Sequence, residues 1–335
     1  MPVQKEEKHR IKTIKILLKY LITIFISIVL LYLVFRNISI SDVLLSIGNA
    51  SSQYILPVCI VFVSSFILRA HRWRILFEQN IPLRWIELFK AQMIGYLANN
   101  VLPARAGEIV RAYILGNSCG IAKSKVFGTV IVERIMDLLS ALLLLAVLLL
   151  VYPLPLWVKR SGILLSLILL AGVGFLLMLI SFGESLVKMC RRFLKFLPDK
   201  FLQKLIIICR NFIEGVKGFK HKWGALQFSA YTASIWVLEI LFTLLIARSF
   251  GIFLSFGESM LVILLIGIGA IIPSAPGSIG TYELFGISAL KLLGITGSEA
   301  VGFILVMHAA VLLGTSLLGA GCIISHGYNI WKNVK

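Results

Sequence analysis

Long apolar runs recur along this chain, and they restrict its fold more than any motif does. A helix that crosses a bilayer needs about 20 apolar residues, roughly 17 to 25. Runs of that order occupy residues 17–35, 53–68, 126–151, 161–182, 228–247 and 300–324. With no water in the hydrocarbon core, every backbone N–H and C=O has to be paired within the segment, so such runs form helices. Composition agrees: 59% of the 335 residues are hydrophobic and 14% charged, against about 25% charged in a soluble domain. The expected class is an all-α polytopic membrane protein.

Two further apolar stretches are interrupted. Residues 86–102 break at Pro103-Ala-Arg105-Ala-Gly107 and resume at Ile109–Leu115; residues 259–272 break at Pro273-Ser-Ala-Pro276-Gly277 and resume at 282–293. Proline removes a ladder donor and clashes with the preceding turn, and glycine loosens the backbone, so Pro103, Gly107, Pro273 and Pro276 read as hinge or break positions. The limbs are short. Segments 86–120 and 258–293 are therefore expected as re-entrant, broken-helix hairpins, with simple proline kinks as the other reading.

The basic residues orient this threading. Lys and Arg number 33 against 15 Asp and Glu, a net charge of +18, which in a soluble chain would suggest nucleic acid. Here the cations fall between apolar runs, so no nucleic-acid partner is expected. With the N-terminus inside and both hairpins returning to their side of entry, the basic tail, Arg69, Arg72, Arg74, Arg84, Lys90, Lys123 and Lys125 fall inside. So do the cations of 184–224 and Lys332 and Lys335, while Arg36, Lys159, Arg160 and Arg248 fall outside with Lys291 nearby. That is the positive-inside distribution, and it puts both termini in the cytoplasm. The run after the basic tail is too long for a signal-peptide core, so it reads as a retained first helix.

Six full transmembrane helices plus two hairpins make an inverted repeat: helix, helix, hairpin, helix, twice. The boundaries are a cytoplasmic basic tail 1–16, a first repeat 17–151 containing hairpin 86–120, an inverted second repeat 161–325 containing hairpin 258–293, and a cytoplasmic tail 326–335. Within the second repeat, residues 184–224 alternate basic and apolar positions as in a helix lying in the cytoplasmic interface. Inverted repeats with broken helices are a transporter architecture.

Ionisable groups at membrane depth are costly, roughly 2.5–3.5 kcal/mol each on insertion scales, and mark function or ion pairs. They gather in three segments: Asn99 to Tyr113, Glu133-Arg134-Ile-Met-Asp137, and Pro273 to Glu283. Glu108 and Arg111, and likewise Arg134 and Asp137, are three apart and share a helix face. Arg105 has no opposite charge at helical spacing outside its own turn, which leaves it as the cation for an anionic group that a guanidinium can grip through two N–H bonds. Gly277 and Gly280 allow backbone N–H groups to approach an anion at a half-helix N-terminus. Candidate substrate-binding residues are thus Arg105, Arg111, Asn100, Arg134, Gly277, Gly280 and Glu283. Glu108, Glu133, Asp137 and Glu239 read as coupling groups or structural ion pairs, and His308 as a packing residue. The five cysteines are scattered without CxxC spacing and the histidines form no HxxxH pair, so neither metal nor cofactor is expected.

The three segments, Asn-x-x-Pro-Ala-Arg-x-Gly-Glu-x-x-Arg from Asn100, Glu-Arg-x-x-Asp from Glu133, and Pro-x-x-Pro-Gly-x-x-Gly-x-x-Glu from Pro273, resemble the lysylphosphatidylglycerol synthase transmembrane-region family of flippase-like membrane proteins. The resemblance covers roughly 12–330 and implies movement of a lipid or lipid-linked headgroup between leaflets. Larger relatives carry their synthase activity in a C-terminal soluble domain, and this chain reaches Lys335 just after its last apolar run, so no synthase or other enzymatic activity is expected. The expected partner is a membrane lipid with an anionic or lipid-linked headgroup, in the plasma membrane of a bacterium or archaeon. The alternatives are an accessory subunit that presents lipid to a separate synthase or glycosyltransferase, and a membrane enzyme acting on polyprenyl-phosphate.

Overall fold

The computed structural model describes residues 25–32, 34, 36, 39–77, 81–102, 106–151, 222–272 and 274–326, with single helical positions between 160 and 210. The basic tail 1–16, the start of the first apolar run, most of 161–182 and of 184–224, residues 327–335, and Pro103, Arg105 and Pro273 lie outside the described residues.

Among the described residues every regular element is helical. In chain order these are a helical stretch at 25–32, then α1 (Ile40–Gly48), α2 (Ile55–Arg74), α3 (Trp85–Val101), α4 (Gly107–Cys119) and α5 (Lys123–Val151). There follow α6 (Lys222–Ser249), α7 (Phe256–Ile271), α8 (Thr281–Leu292) and α9 (Ser298–His326). Local chemistry places the starts. Ser39 Oγ accepts the Asp42 N–H to open α1, and Ser255 and Glu258 form a reciprocal capping box at α7. Helix α1 lies in a stretch where the sequence reading has only an outer loop.

Three segments are long and apolar enough to cross a bilayer among the described residues: Ser52–Arg74, Trp223–Ser249 and Ser298–Ser325. Their outward faces carry Ile55, Leu56 and Ile60, Leu226 and Val237, and Leu313, Leu317 and Ile324, all exposed. Apolar stripes of that extent suit lipid and not water. The protein is an all-helical membrane protein.

The breaks fall where the sequence puts them, between α3 and α4 and between α7 and α8. Helices α3 and α4 are antiparallel: Cys119, the last residue of α4, donates its thiol to Glu87 in the first turn of α3 at 3.4 Å. Midway, Gly95 of α3 sits against Arg111 of α4, where a Cβ would come within 2.9 Å of the Arg111 Cβ. Helices α7 and α8 also pack together, with Gly269 close under the Phe285 ring.

The described contacts group into two compact units. One comprises the described residues of Met1–Val58, Leu97–Ala106 and Phe242–Leu317; buried Leu261, Val262, Leu290, Phe303 and Ile304 form part of its interior. The other comprises those of Cys59–Tyr96, Gly107–Leu241 and Leu318–Lys335. Its core gathers Phe66, Trp73, Leu88, Met93, Leu115, Val130 and Phe228. Between helices in lipid, close packing and hydrogen bonds replace the hydrophobic effect as the source of cohesion.

Candidate functional site

In the second unit, four helices bring charged side chains to one place. From α2 come Arg69 and Arg72, from α4 Glu108 and Arg111, from α5 Glu133, Arg134 and Asp137, and from α6 Thr232 and Glu239. The sequence reading assigns Arg69 and Arg72 to a loop after residue 68. Instead α2 continues to Arg74, and one turn of spacing turns both guanidiniums inward.

Glu133 is the hub, with 0% of its side chain exposed. Its Oε1 receives Arg134 Nη2 at 2.6 Å and Arg72 Nη2 at 3.4 Å, and its Oε2 receives Arg111 Nη1 at 3.2 Å. Arg72 also reaches Asp137 at 2.6 Å and Thr232 Oγ1 at 3.3 Å, and lies 5.0 Å over the Phe228 ring. Arg111 contacts Glu108 at 2.8 Å and lies 4.8 Å over Trp73. Trp73 is fixed in turn by its indole N–H on Thr129. Arg134 reaches Asp137 at 3.2 Å, and Arg69 pairs with Glu239. The expected i,i+3 pairs Glu108–Arg111 and Arg134–Asp137 both form. Glu239, whose role the sequence leaves open between pairing and proton coupling, is paired.

Four arginines and four carboxylates balance in formal charge, which is how buried ions are tolerated. Their hydrogen bonds do not balance. The Nε–H of Arg69, Arg72, Arg111 and Arg134 is buried and meets no hydrogen-bond acceptor among the described residues. Buried donors are rarely left so. The cluster grades outward from Glu133 through Asp137, 25% exposed, to Arg134, 33% exposed.

Asn100, Gly277, Gly280 and Glu283, also expected to bind substrate, sit in the first unit and find partners there. Asn100 donates to Thr315 Oγ1 at 2.9 Å, Ser316 Oγ at 3.0 Å and the Leu312 carbonyl at 3.2 Å. Gly280 gives its N–H to Glu283 at 2.6 Å, so the group at the α8 N-terminus is the chain's own carboxyl. The other oxygen of Glu283 meets His308 Nδ1 at 2.5 Å, and His308 Nε2 meets the Gly277 carbonyl at 2.8 Å. His308 is thus a polar hinge-pin between α9, α8 and the turn, with Tyr282 stacked on its ring at 4.0 Å. Both glycines are required by the backbone. Gly277 has φ 73° and Gly280 φ 90°, and added Cβ atoms would lie 2.7 Å from Leu312 Cδ2 and 2.9 Å from the Ser27 carbonyl. Pro276 opens a 3-10 turn, Pro276–Ser278, that contains Gly277, and Gly107 begins α4.

Sequence reasoning missed Arg69, Arg72 and Thr232 as members of the cluster and gave His308 only a packing role. A signal for the arginines was present: their spacing of three continues the helical period of the apolar run before them.

Comparison with known proteins adds the family. The model of the lysylphosphatidylglycerol synthase TM region matches residues 17–319. A UPF0104 membrane protein of Pyrococcus horikoshii is 27% identical over 303 residues, 84% of this chain and 90% of that protein. One from Methanocaldococcus jannaschii is 24% identical over 294 residues, 82% and 86% of the two chains. Glycosyltransferase AglD of Haloferax volcanii is 23% identical over 343 residues, which is 92% of this chain but 55% of that longer protein. No solved structure gives a significant match. This chain belongs to the lysylphosphatidylglycerol synthase transmembrane-region family.

Proposed function

We propose that this protein translocates a lipid, or a lipid-linked headgroup, between leaflets, and that the arginine cluster of α2, α4, α5 and α6 receives the headgroup. One observation carries the reading: four arginines in a membrane protein each keep a buried Nε–H donor with no acceptor among the described residues. Phosphate and carboxylate oxygens are the acceptors that guanidinium groups hold best. Arg134 and Asp137, the more exposed members, form the mouth through which a headgroup enters while its acyl chains stay in lipid. Arg111 and Glu133 form the floor.

The transport architecture in this proposal is the inverted repeat of six full spans and two return hairpins, with both termini cytoplasmic. The antiparallel α3–α4 pair, closed at its open end by Glu87 and Cys119, supports a segment that enters and leaves on one side. Helix α5, 29 residues long, supports a further full span. On this reading the protein is not an enzyme, and the lipid is its partner.

The relative named a glycosyltransferase favours one second reading. Because this chain matches 55% of that protein, the matched part and the remainder work within one polypeptide there. A protein like the present one could then present a lipid carrier to a separate glycosyl-transfer step without moving it.

Proteoliposomes separate the two. Fluorescent phosphatidylglycerol or a fluorescent polyprenyl-phosphate is placed in both leaflets and an impermeant reductant is added outside. Translocation exposes the inner-leaflet label, so fluorescence falls well below the half that empty vesicles retain, and Arg134→Gln abolishes the extra loss. Retention of half the signal with wild-type protein, together with Arg134-dependent binding of the same lipid, would replace translocation by presentation.

A further inference from the structure

The His308–Glu283 pair lies outside the arginine cluster, and its hydrogen bonds make a count that fixes its protons. His308 Nδ1 faces a carboxylate oxygen and Nε2 faces a backbone carbonyl, at 2.5 and 2.8 Å. Both partners are acceptors when the glutamate is ionised. A neutral imidazole has one N–H and one lone pair, so it satisfies one of the two contacts and opposes the other. Two protonation states fit the geometry: an imidazolium beside a carboxylate, or a neutral ring beside a protonated carboxyl. Each holds one proton more than neutral histidine with ionised glutamate.

Among the described residues no other charged group contacts the pair. The titratable side chains facing His308 are Glu283 and the stacked Tyr282, both from α8. The turn 274–280 contains no ionisable residue; α7 carries Glu258 in its first turn, and α9 carries Glu299 in its first turn and Cys322 and His326 near its end, all away from the pair. Lys291 stands in the last turn of α8. Both members of the pair are buried, 4% and 5% exposed in their side chains.

We infer that Glu283 and His308 together form a proton-binding site, and that its proton holds the backbone break before α8 in the conformation described. When the proton leaves, the remaining N–H goes to the ionised carboxylate, the stronger acceptor. The Nε2 lone pair then confronts the Gly277 carbonyl. Ser278, with φ of 62°, is a non-glycine residue in the left-handed region, so the turn that loses this bond is one that the backbone does not favour by itself. Proton loss therefore loosens residues 275–280, which Ser27 also pins through the Ala275 N–H and the Ile279 carbonyl. The inference is independent of the headgroup reading, because it concerns a site in the other unit and is measured without lipid movement.

Hydrogen exchange of the purified protein in nanodiscs, read on peptides spanning 274–284 from pH 5 to 9 and corrected for the intrinsic pH dependence, tests it. In wild type, exchange should speed up by between about fivefold and about a hundredfold as pH rises, the range expected when one buried hydrogen bond is lost. Nitrogen-15 spectra of the histidines, with His308 assigned by its loss in His308→Asn, should show two protonated ring nitrogens or their glutamic-acid equivalent giving way over the same pH interval. Glu283→Gln is the discriminating variant. Its amide can accept from Gly280 and donate to Nδ1, leaving Nε2–H for Gly277, so its turn should stay protected at every pH. Wild-type protection that does not change between pH 5 and 9, or changes without a change at His308, would overturn the inference. So would a Glu283→Gln protein with the wild-type pH dependence.

Discussion

Replacing Glu133 by glutamine removes one negative charge and almost no volume, so it isolates the electrostatics of the buried cluster. The carboxylate is fully buried and contacts Arg72, Arg111 and Arg134 at 3.4, 3.2 and 2.6 Å. Without it, three guanidiniums share the remaining carboxylates and one positive charge stays buried without compensation. Breaking a buried pair in this way costs about 3–5 kcal/mol. A domain of this size loses roughly 2–4 °C of melting temperature per kcal/mol. The expected drop for Glu133→Gln is then about 6–20 °C, measured by thermal unfolding in detergent. A second substitution, Arg72→Gln, restores the charge balance and should recover more than half of that loss. Glu239→Gln serves as the comparison: Glu239 pairs with Arg69 and is 31% exposed, so its loss should lower the melting temperature less than loss of the fully buried Glu133. A Glu133→Gln protein that melts within about 2 °C of wild type, or a double variant that melts lower than the single one, would refute the argument that charge balance holds these four helices together.

Other expectations follow from single contacts. Gly280→Ala should destabilise more than Gly277→Ala, because the first Cβ meets a backbone carbonyl at 2.9 Å and the second a leucine methyl that can rotate away; thermal unfolding of the two variants decides it, and Leu312→Ala should rescue only Gly277→Ala. Asn100→Ala, which removes three hydrogen bonds to α9, should lower stability by about 1–3 kcal/mol, and an unchanged melting temperature would deny Asn100 this structural role. Burial, reinforced by the hydrogen bond to Glu87, pushes the Cys119 thiol up to about 12. Since the thiolate is the reactive form, Cys119 in a variant lacking the other cysteines should react with maleimide at pH 8 at least about ten times more slowly than a free thiol, and Glu87→Gln should speed it up.

Much of the fold was legible because lipid imposes a simple rule on sequence. The breaks before α4 and α8 could be located from Pro103, Gly107, Pro276 and Gly277, since proline and glycine act on the backbone locally. Helix ends were harder. Apolar character stops at residue 68 while α2 runs to Arg74, because a charged residue stays helical, and can turn inward, when carboxylates from other helices neutralise it. That tertiary compensation is invisible in the run itself, and it is why the run alone assigns Arg69 and Arg72 to a loop. The i,i+3 pairs Glu108–Arg111 and Arg134–Asp137 were legible because both partners lie on one helix. The convergence of three arginines on Glu133 was not, since it depends on how α2, α4 and α5 pack. For the same reason His308, alone on an apolar helix in sequence, gave no sign of Glu283, 25 residues away along the chain.

The claim that the arginine cluster receives a headgroup is tested most directly by the lipid the protein retains. Wild type, Arg134→Gln and Arg84→Gln would be reconstituted in equal mixtures of phosphatidylglycerol and phosphatidylcholine, extracted mildly, and examined by native mass spectrometry. Arg84 forms an exposed pair with Glu87 outside the cluster and controls for general charge loss. The account predicts that wild type and Arg84→Gln retain the anionic lipid preferentially, and that Arg134→Gln loses the preference while keeping its fold. Equal preference in all three proteins, or no preference in wild type, would contradict it.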